Sequence, residues 1–373
     1  MKGLPRVAVC GGGRGGTAIA GDLTLMGCQV NLLEIEQLKH NIEPIIQRGG
    51  VEITGETQSG KTGFAKLNLV TTNPKEALRG VDLILVAVPA FGHKAFFDAF
   101  SPYLEEGQSI LVTTSYWACL RIAGKLREMG IFDKVNVAEA MILPYASNIV
   151  GPAATHIHRT KEKEIALAAF PASKTDKVLD IVRTVYPQHM KVPNVLWTSL
   201  GNVNTPLHGP LTIPMAGLIL DRYSDGHSGG VKFYGEATTP GAALVEAYDR
   251  ERLDIARELG VDLPSISEVM FKLYGYKGKD IAEALRKSEH AEMFVDVKFH
   301  TGLLEEDLRY FYVSLSQLGD AFGIPTPATK AILTVLGAMM GTNYWEGATT
   351  LEDIGLAGLN RDQIVRYVTE GKV

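Results

Sequence analysis

The sequence predicts an α/β chain in two parts, a doubly wound parallel sheet over residues 1–187 and a mainly helical domain over residues 188–373. Three observations carry this. A short apolar run, Val7-Ala8-Val9-Cys10, leads directly into the glycine-rich Gly11-Gly12-Gly13-Arg14-Gly15-Gly16 and then into the helix-compatible Thr17-Ala18-Ile19-Ala20. Apolar strand-length runs and helical stretches then alternate as far as Tyr186-Pro187. Beyond Pro193 the strand signal fades and long amphipathic stretches take over. With 373 residues the chain is also longer than the roughly 250 to 300 residues at which single cores stop growing.

The first element sets the theme. A strand, a GxGxxG turn and a helix in that order form the opening of a dinucleotide-binding βαβ unit of Rossmann type. Gly11 lets the chain turn off the strand, Gly13 lets the backbone approach a pyrophosphate, and Gly16 lets the helix pack closely. Phosphate would rest at the helix N-terminus, where unpaired N–H groups favour anions. Gln29 to Leu33 reads as the second strand and ends in Glu34, whose carboxylate suits ribose hydroxyls and repels a 2′-phosphate. NAD is therefore expected, with NADP left open because Arg14 in the turn could serve phosphate in either cofactor.

Further along, Leu38, Ile42, Ile45 and Ile46 have helical spacing over Glu36 to Gln47 and should pack on the sheet. Gly50 to Ile53 and Phe64 to Val70 read as strands around a polar turn. Val81 to Val88 is apolar on both faces, as a covered parallel strand should be. A helix from Gly92, a strand at Ser109 to Val112, a helix from Trp117 and a strand at Val135 to Ala138 continue the alternation. In the second half, helices are expected at Leu244 to Leu259, Ile281 to Arg286, Leu303 to Phe322 and Thr329 to Met340, with Met339 and Met340 filling core. Asp225 to Gly230 reads as the most flexible loop.

Gly55-Glu56-Thr57-Gln58-Ser59-Gly60-Lys61-Thr62 matches the nucleotide-binding pattern GxxxxGK[ST] letter for letter. A true P-loop must lead into a helix whose N-terminus holds phosphate. Here Ala65, Leu67 and Leu69 alternate with Lys66 and Asn68, the period of a strand. The match therefore falls on a hairpin turn, and no ATP or GTP site is expected.

Hydrophobic residues at 46% and charged residues at 21% describe an ordinary globular protein. A formal net charge of −5 offers no global attraction to nucleic acid or to an anionic membrane, which leaves small molecules as the expected partners. The first strand begins close to Met1, and no apolar run approaches a membrane span, so a cytoplasmic location is expected. Cys10, Cys28 and Cys119 lack metal-ligand or disulfide spacing and read as buried or incidental thiols. The apolar C-terminal helices are compatible with a homodimer interface or with a core.

The helical half should supply proton transfer and substrate orientation. Ser199 to Pro210 is the best candidate, because Asn204 and His208 are spaced to share a helix face, although Pro206 would distort the helix. Histidine suits acid–base work near neutral pH, and from spacing alone a structural histidine is equally compatible. His93, just past a central strand, either borders the nicotinamide or begins a helix. His156 and His158 alternate on a strand without a third ligand, so no metal site is expected. Asp249-Arg250-Glu251-Arg252 reads as a charged helix with internal ion pairs.

Thr198-Ser199-Leu200 through Asn202 and Asn204 to His208, Thr239-Pro240, Asp249 to Leu253, Glu306-Asp307 and Gly323 to Pro327 together resemble the opine dehydrogenase family, which includes octopine dehydrogenase and N-(1-carboxyethyl)-norvaline dehydrogenase. The resemblance implies a Rossmann domain plus a helical domain. It implies reductive condensation of an amino acid or amine with a 2-oxo acid, or the reverse oxidation, using NAD or NADP. It further implies His208 as acid–base with Asp307 as its partner. The family pattern carries a carboxylate-binding arginine where this chain has Gly302, and Arg309 is the nearby candidate to replace it. Two alternatives stay open: a carbonyl dehydrogenase of glycerol-3-phosphate or hydroxy-acid type, and an NADH-binding redox sensor without turnover.

Overall fold

The computed structural model describes residues 3–161, 164–224, 231–292, 294–295 and 297–372; the loop expected at Asp225 to Gly230 lies outside them. The chain divides into two compact units, one of residues 1–199 with 366–373 and one of residues 200–365. The division falls later than Pro187. Thr198 and Ser199 are bound to the first unit by a buried carboxylate described below, and the end of the last helix, α15 (Arg361–Glu370), returns to that unit.

The first unit is built on β1 (Arg6–Cys10), α1 (Arg14–Met26), β2 (Gln29–Leu33), α2 (Glu43–Arg48), β3 (Gly50–Gly55), β4 (Gly63–Lys66), β5 (Leu69–Thr71), α3 (Pro74–Leu78), β6 (Leu83–Val86), α4 (Ala90–Phe100), β7 (Ser109–Val112), α5 (Ala118–Glu128), β8 (Asn136–Ala140), β9 (Tyr145–Gly151), β10 (Ala154–Thr160), β11 (Ile165–Phe170), α6 (Thr175–Val182), β12 (His189–Lys191) and α7 (Val195–Leu200). Eight strands form one sheet in the order β12-β11-β8-β7-β6-β1-β2-β5. All its neighbours run parallel except β11 beside β8. β6, β7, β8 and β11 are buried along their whole length, and β6 and β11 are continuous apolar runs, as strands covered on both faces should be.

A second, four-stranded sheet, β4-β3-β10-β9, was not visible in the sequence. It explains why Phe64 to Val70 is two strands: β4 pairs with β3 in the small sheet, while β5 pairs with β2 in the large one. The helix expected over Glu36 to Gln47 is also broken. A 3₁₀ segment at Glu36–Asn41, itself kinked at the non-helical Leu38, precedes α2. Ile42 and Ile45 are buried, whereas Leu38 and Ile46 are exposed, because the kink rotates them off a common face.

The second unit contains α8 (His208–Ser224), β13 (Val231–Lys232), α9 (Thr239–Glu258), α10 (Ile266–Tyr274), α11 (Ile281–Arg286), β14 (Phe294–Val295), α12 (Val297–Asp307), a π-helical turn (Leu308–Tyr312), α13 (Val313–Phe322) and α14 (Pro327–Met340). α9 starts earlier than expected: the Thr238 hydroxyl accepts the Gly241 N–H, and Pro240 sits in the first turn. Met339 is exposed and not core filler. All three cysteines are free and buried.

Candidate active site

The glycine turn has the geometry its sequence asks for. Gly11 has φ +109°, and a Cβ there would stand 2.5 Å from Val88 and 2.8 Å from the Ala87 carbonyl oxygen. A Cβ on Gly16 would lie 1.8 Å from the Gly11 carbonyl oxygen, so only glycine lets the helix start under the turn. A Cβ on Gly13 would meet nothing within 4 Å, which leaves the outer side of the turn open. Gly13 is the N-cap of α1 and no side chain caps that end, which leaves the helix start without a side-chain acceptor, as an anion site needs. Arg14 is exposed at the first helical position.

Glu34 is buried at the end of β2 and does more than sequence suggested. Its Oε2 accepts the Gly12 N–H at 2.9 Å and the Asn41 amide at 3.2 Å, and Oε1 accepts the Ile35 N–H at 2.9 Å. The carboxylate thus braces the glycine turn from behind. The other glycine-rich segment behaves in the opposite way. Gly55 to Thr62 links β3 to β4, and the Asp22 carboxylate accepts the Gln58 and Ser59 N–H groups at 2.7 and 3.1 Å. An acid already holds amides that a P-loop would offer to phosphate.

In the second unit, His208 is the first residue of α8 and Asp307 the last of α12. The His208 Nδ1 lies 2.9 Å from Asp307 Oδ2, and both residues are buried. A carboxylate can only accept, so Nδ1 carries the proton and Nε2 is the side left for chemistry. Nε2 has the Tyr234 hydroxyl at 3.4 Å, longer than a good hydrogen bond between oxygen and nitrogen. The Thr212 hydroxyl donates to the His208 carbonyl at 2.6 Å.

The π turn after Asp307 explains how two side chains reach the start of α8. Residues five apart in an α-helix point about 140° away from each other, and the wider π turn brings them onto one face. Asp307 takes His208, and Tyr312 packs at Gly209, where a Cβ would stand 3.0 Å from its hydroxyl. The Tyr312 hydroxyl donates to the Thr205 carbonyl, and its ring stacks on Tyr248 at 4.5 Å. The turn before His208 is therefore fixed from α13's side of the bundle.

Asn204 and His208 do not share a helix face, because the helix begins only at His208. The Asn204 carbonyl instead accepts the Leu207 and His208 N–H groups at 2.9 and 3.1 Å, and this turn accommodates Pro206. Arg309 has other partners: its guanidinium pairs with Glu305, donates to the Asn343 carbonyl at 3.3 Å and lies over the Tyr344 ring. His93 lies buried in α4, and burial together with Arg121 holds its pKa well below the usual histidine value. His156 and His158 bond Thr54 and Asn148 respectively, and among the described residues no three metal-ligating side chains gather.

The charged segment of α9 is more specific than a solvated face. Asp249 pairs with the buried Arg252 and accepts the Ile266 N–H at 2.9 Å, and Arg252 also donates to the Leu200 carbonyl at 2.6 Å. Glu251 accepts the Ala328 and Thr329 N–H groups at 2.6 and 2.9 Å, capping α14. Sequence reasoning missed Glu139 altogether. Buried in β8, it accepts the Thr198 and Ser199 hydroxyls at 2.7 and 2.6 Å and the Cys119 N–H at 2.9 Å. Burial raises its pKa against these hydrogen bonds. Ser199 in turn accepts the N–H of Trp117, which follows Tyr116 in the left-handed region, at φ +59° and +50°. Glu139 could only have been found as a polar residue inside an apolar strand.

Comparison with known proteins fits this geometry. The model of the NAD/NADP octopine/nopaline dehydrogenase alpha-helical domain matches residues 191–340, and that of ketopantoate reductase PanE/ApbA matches residues 7–114. The opine dehydrogenase of Arthrobacter sp. (strain 1C) is 31% identical over 355 residues, covering 94% of this chain and 95% of the relative. The chain belongs to the opine dehydrogenase family. It is an NAD(P)-dependent oxidoreductase acting on CH–NH bonds, and its reaction class is the reductive condensation of an amino acid with a keto acid. The vitopine synthase of Allorhizobium ampelinum is a more distant family relative, 24% identical over 62% of this chain and 63% of its own. The fold is shared with octopine dehydrogenase in complex with NADH and agmatine, at TM-score 0.75, 19% identity and coverage of 99% and 98% of the two chains. NADP⁺-bound yersinopine dehydrogenase gives TM-score 0.71 at 13% identity over 98% of each chain.

Proposed function

We propose that this opine dehydrogenase uses His208 as its general acid–base and Asp307 as the group that orients it, with NADH preferred over NADPH. The observation that carries the reading is the 2.9 Å contact between His208 Nδ1 and Asp307 Oδ2 inside the helical unit. Asp307 fixes the tautomer and stabilises the imidazolium, so that Nε2 can deliver a proton to the oxygen leaving as water, or to the nitrogen of the reduced product. In the oxidative direction the same Nε2 takes that proton back. A group placed in this way contributes about 10² to 10⁴-fold in rate.

The residues around the glycine turn fit a dinucleotide. Gly11, Gly13 and Gly16 would let the pyrophosphate approach the start of α1, Arg14 would face it, and the nicotinamide when bound supplies the hydride. Glu34 keeps a buried carboxylate beside the turn, which disfavours a 2′-phosphate. Asn204, half-buried in the turn before His208, is proposed to hydrogen-bond substrate. Among the described residues no helix is long and apolar enough to cross a membrane. We propose a cytoplasmic enzyme acting on small molecules, for which a homodimer is one candidate assembly that size-exclusion with light scattering tests.

The decisive assay is NADH oxidation with amino acids crossed with pyruvate and other oxo acids. Oxidation should require both partners and yield a secondary amine whose mass is that of the two partners less one water plus the two hydrogens delivered as hydride and proton. Equal oxidation with the oxo acid alone would make the protein a carbonyl dehydrogenase; tight NADH binding with no turnover for any pair would make it a sensor.

A further inference from the structure

The carboxylate of a 2-oxo acid must be held while its oxo oxygen faces His208. The cations of the second unit that have described partners are committed elsewhere. Arg309 is bound to Glu305, Arg252 to Asp249, Lys232 to Glu292, Lys287 to Glu283, Lys330 to Asp320 and Arg286 to the Ala237 carbonyl. Among the described residues, the polar atom found beside Nε2 of His208 is a neutral one, the Tyr234 hydroxyl at 3.4 Å.

We infer that Tyr234 is a substrate-binding residue that donates its phenol hydrogen to the carboxylate of the oxo acid while Nε2 of His208 engages the neighbouring oxo oxygen. The two acceptor oxygens of a 2-oxo acid sit on adjacent carbons, spaced about as far apart as two hydrogen-bonded atoms, roughly 3 Å. A donor pair separated by 3.4 Å can therefore take one oxygen each. Such a pair also explains why the resting contact is long: the two groups are set to meet a ligand more than to meet each other.

The segment carrying Tyr234 is held in place. Val231 and Lys232 pair with Val295 and Phe294 across β13 and β14. Gly235 runs so close to the next segment that a Cβ would lie 2.3 Å from the Ala291 carbonyl oxygen. Phe233 is buried with its ring 6.3 Å from that of His208, and the Tyr234 ring meets Phe233 and His290 edge-on at 5.2 and 6.2 Å. The Tyr276 hydroxyl bonds His290 from behind. Burial, with Asp307 and Tyr276 nearby, pushes the Tyr234 phenol above its usual pKa, so it remains a donor across the working pH range.

The inference rests on the dehydrogenase reading, and the experiment separates the two. With saturating NADH and the amine that supports wild-type turnover, pyruvate is varied. Tyr234→Phe, which keeps the ring and removes only the oxygen, should raise the KM for pyruvate about 10- to 100-fold, the effect of losing a hydrogen bond to a charged group. The KM for the amine and the NADH affinity should stay within about 2-fold of wild type, since Tyr234 touches neither in this account. An unchanged pyruvate KM in folded Tyr234→Phe, or a collapse of kcat with that KM intact, overturns the assignment. Should Tyr234→Phe melt early, Tyr234→Gln, which retains a donor, must keep a pyruvate KM nearer wild type than Tyr234→Leu does, and equal values for the two overturn it as well. Absence of turnover in the wild type with every pair would strike the dehydrogenase reading instead.

Discussion

Two buried carboxylates, Glu139 in the first unit and Asp307 in the second, look alike by burial and differ in what their partners have left to give. Glu139 takes two hydroxyls and a backbone amide, and one of those hydroxyls, that of Ser199, itself accepts a further N–H from Trp117. That network has no open position. Asp307 takes an imidazole whose second nitrogen has, among the described residues, a long contact to a phenol. We therefore propose that the first carboxylate builds architecture and that the second prepares chemistry. A charged group whose network closes upon itself reads as structural, and one that passes its charge to an unfilled valence reads as functional.

Substitutions should separate the two. Asp307→Ala is expected to have the largest effect, a loss in kcat of about 10³-fold with the melting temperature changed far less, because the imidazolium loses its orienting charge. Steady-state kinetics beside calorimetry reads both quantities. Glu139→Ala should behave in reverse, lowering stability by about 3 kcal/mol because two hydroxyls and an amide lose their acceptor, while kcat of the folded enzyme stays near wild type. Chemical denaturation measures the loss. Asp22→Ala should resemble Glu139→Ala at about 2 kcal/mol, since Gln58, Ser59 and Tyr145 lose a shared acceptor. It should leave the segment Gly55 to Thr62 still unable to bind ATP in calorimetry.

The smallest effect is on pH dependence. Burial lowers the pKa of His189 from 6.5 to about 4. Between these values the unfolded chain binds a proton that the folded chain refuses, so stability falls as pH drops through that window. The expected loss is about 1 kcal/mol on going from pH 7.5 to 5.5. Glu139 acts with the opposite sign, because its folded pKa is raised: its own titration costs stability as pH rises past the ordinary carboxylate range. Replacing His189 with Gln should therefore flatten the acid limb of the stability curve, and replacing Glu139 should not.

Sequence made the glycine turn, the central strands and the helical second half legible because each rests on a local signal: a fixed glycine spacing, a continuous apolar run, a helical period. His208 and Asp307 are ninety-nine positions apart, and no local pattern joins them; only family likeness paired them. Glu139, Tyr234 and the π turn were out of reach for a related reason. A lone glutamate in an apolar strand, a tyrosine in a short loop and a single widened helical turn acquire meaning only from what the fold brings against them. The small second sheet was hidden because Phe64 to Val70 has one unbroken alternation and yet serves two sheets. Arg309 and Asn204 show the converse, since proximity in sequence to a key residue did not fix where their side chains or backbone would be spent.

The most direct test compares His208→Ala with Glu139→Gln under one protocol: NADH affinity by fluorescence, then turnover with an amine and oxo acid pair active in the wild type. His208→Ala should bind NADH as the wild type does and lose turnover by about 10² to 10⁴-fold, while Glu139→Gln should turn over normally and melt earlier. Normal turnover in His208→Ala, or lost turnover in a folded Glu139→Gln, would contradict the division of roles between the two buried acids.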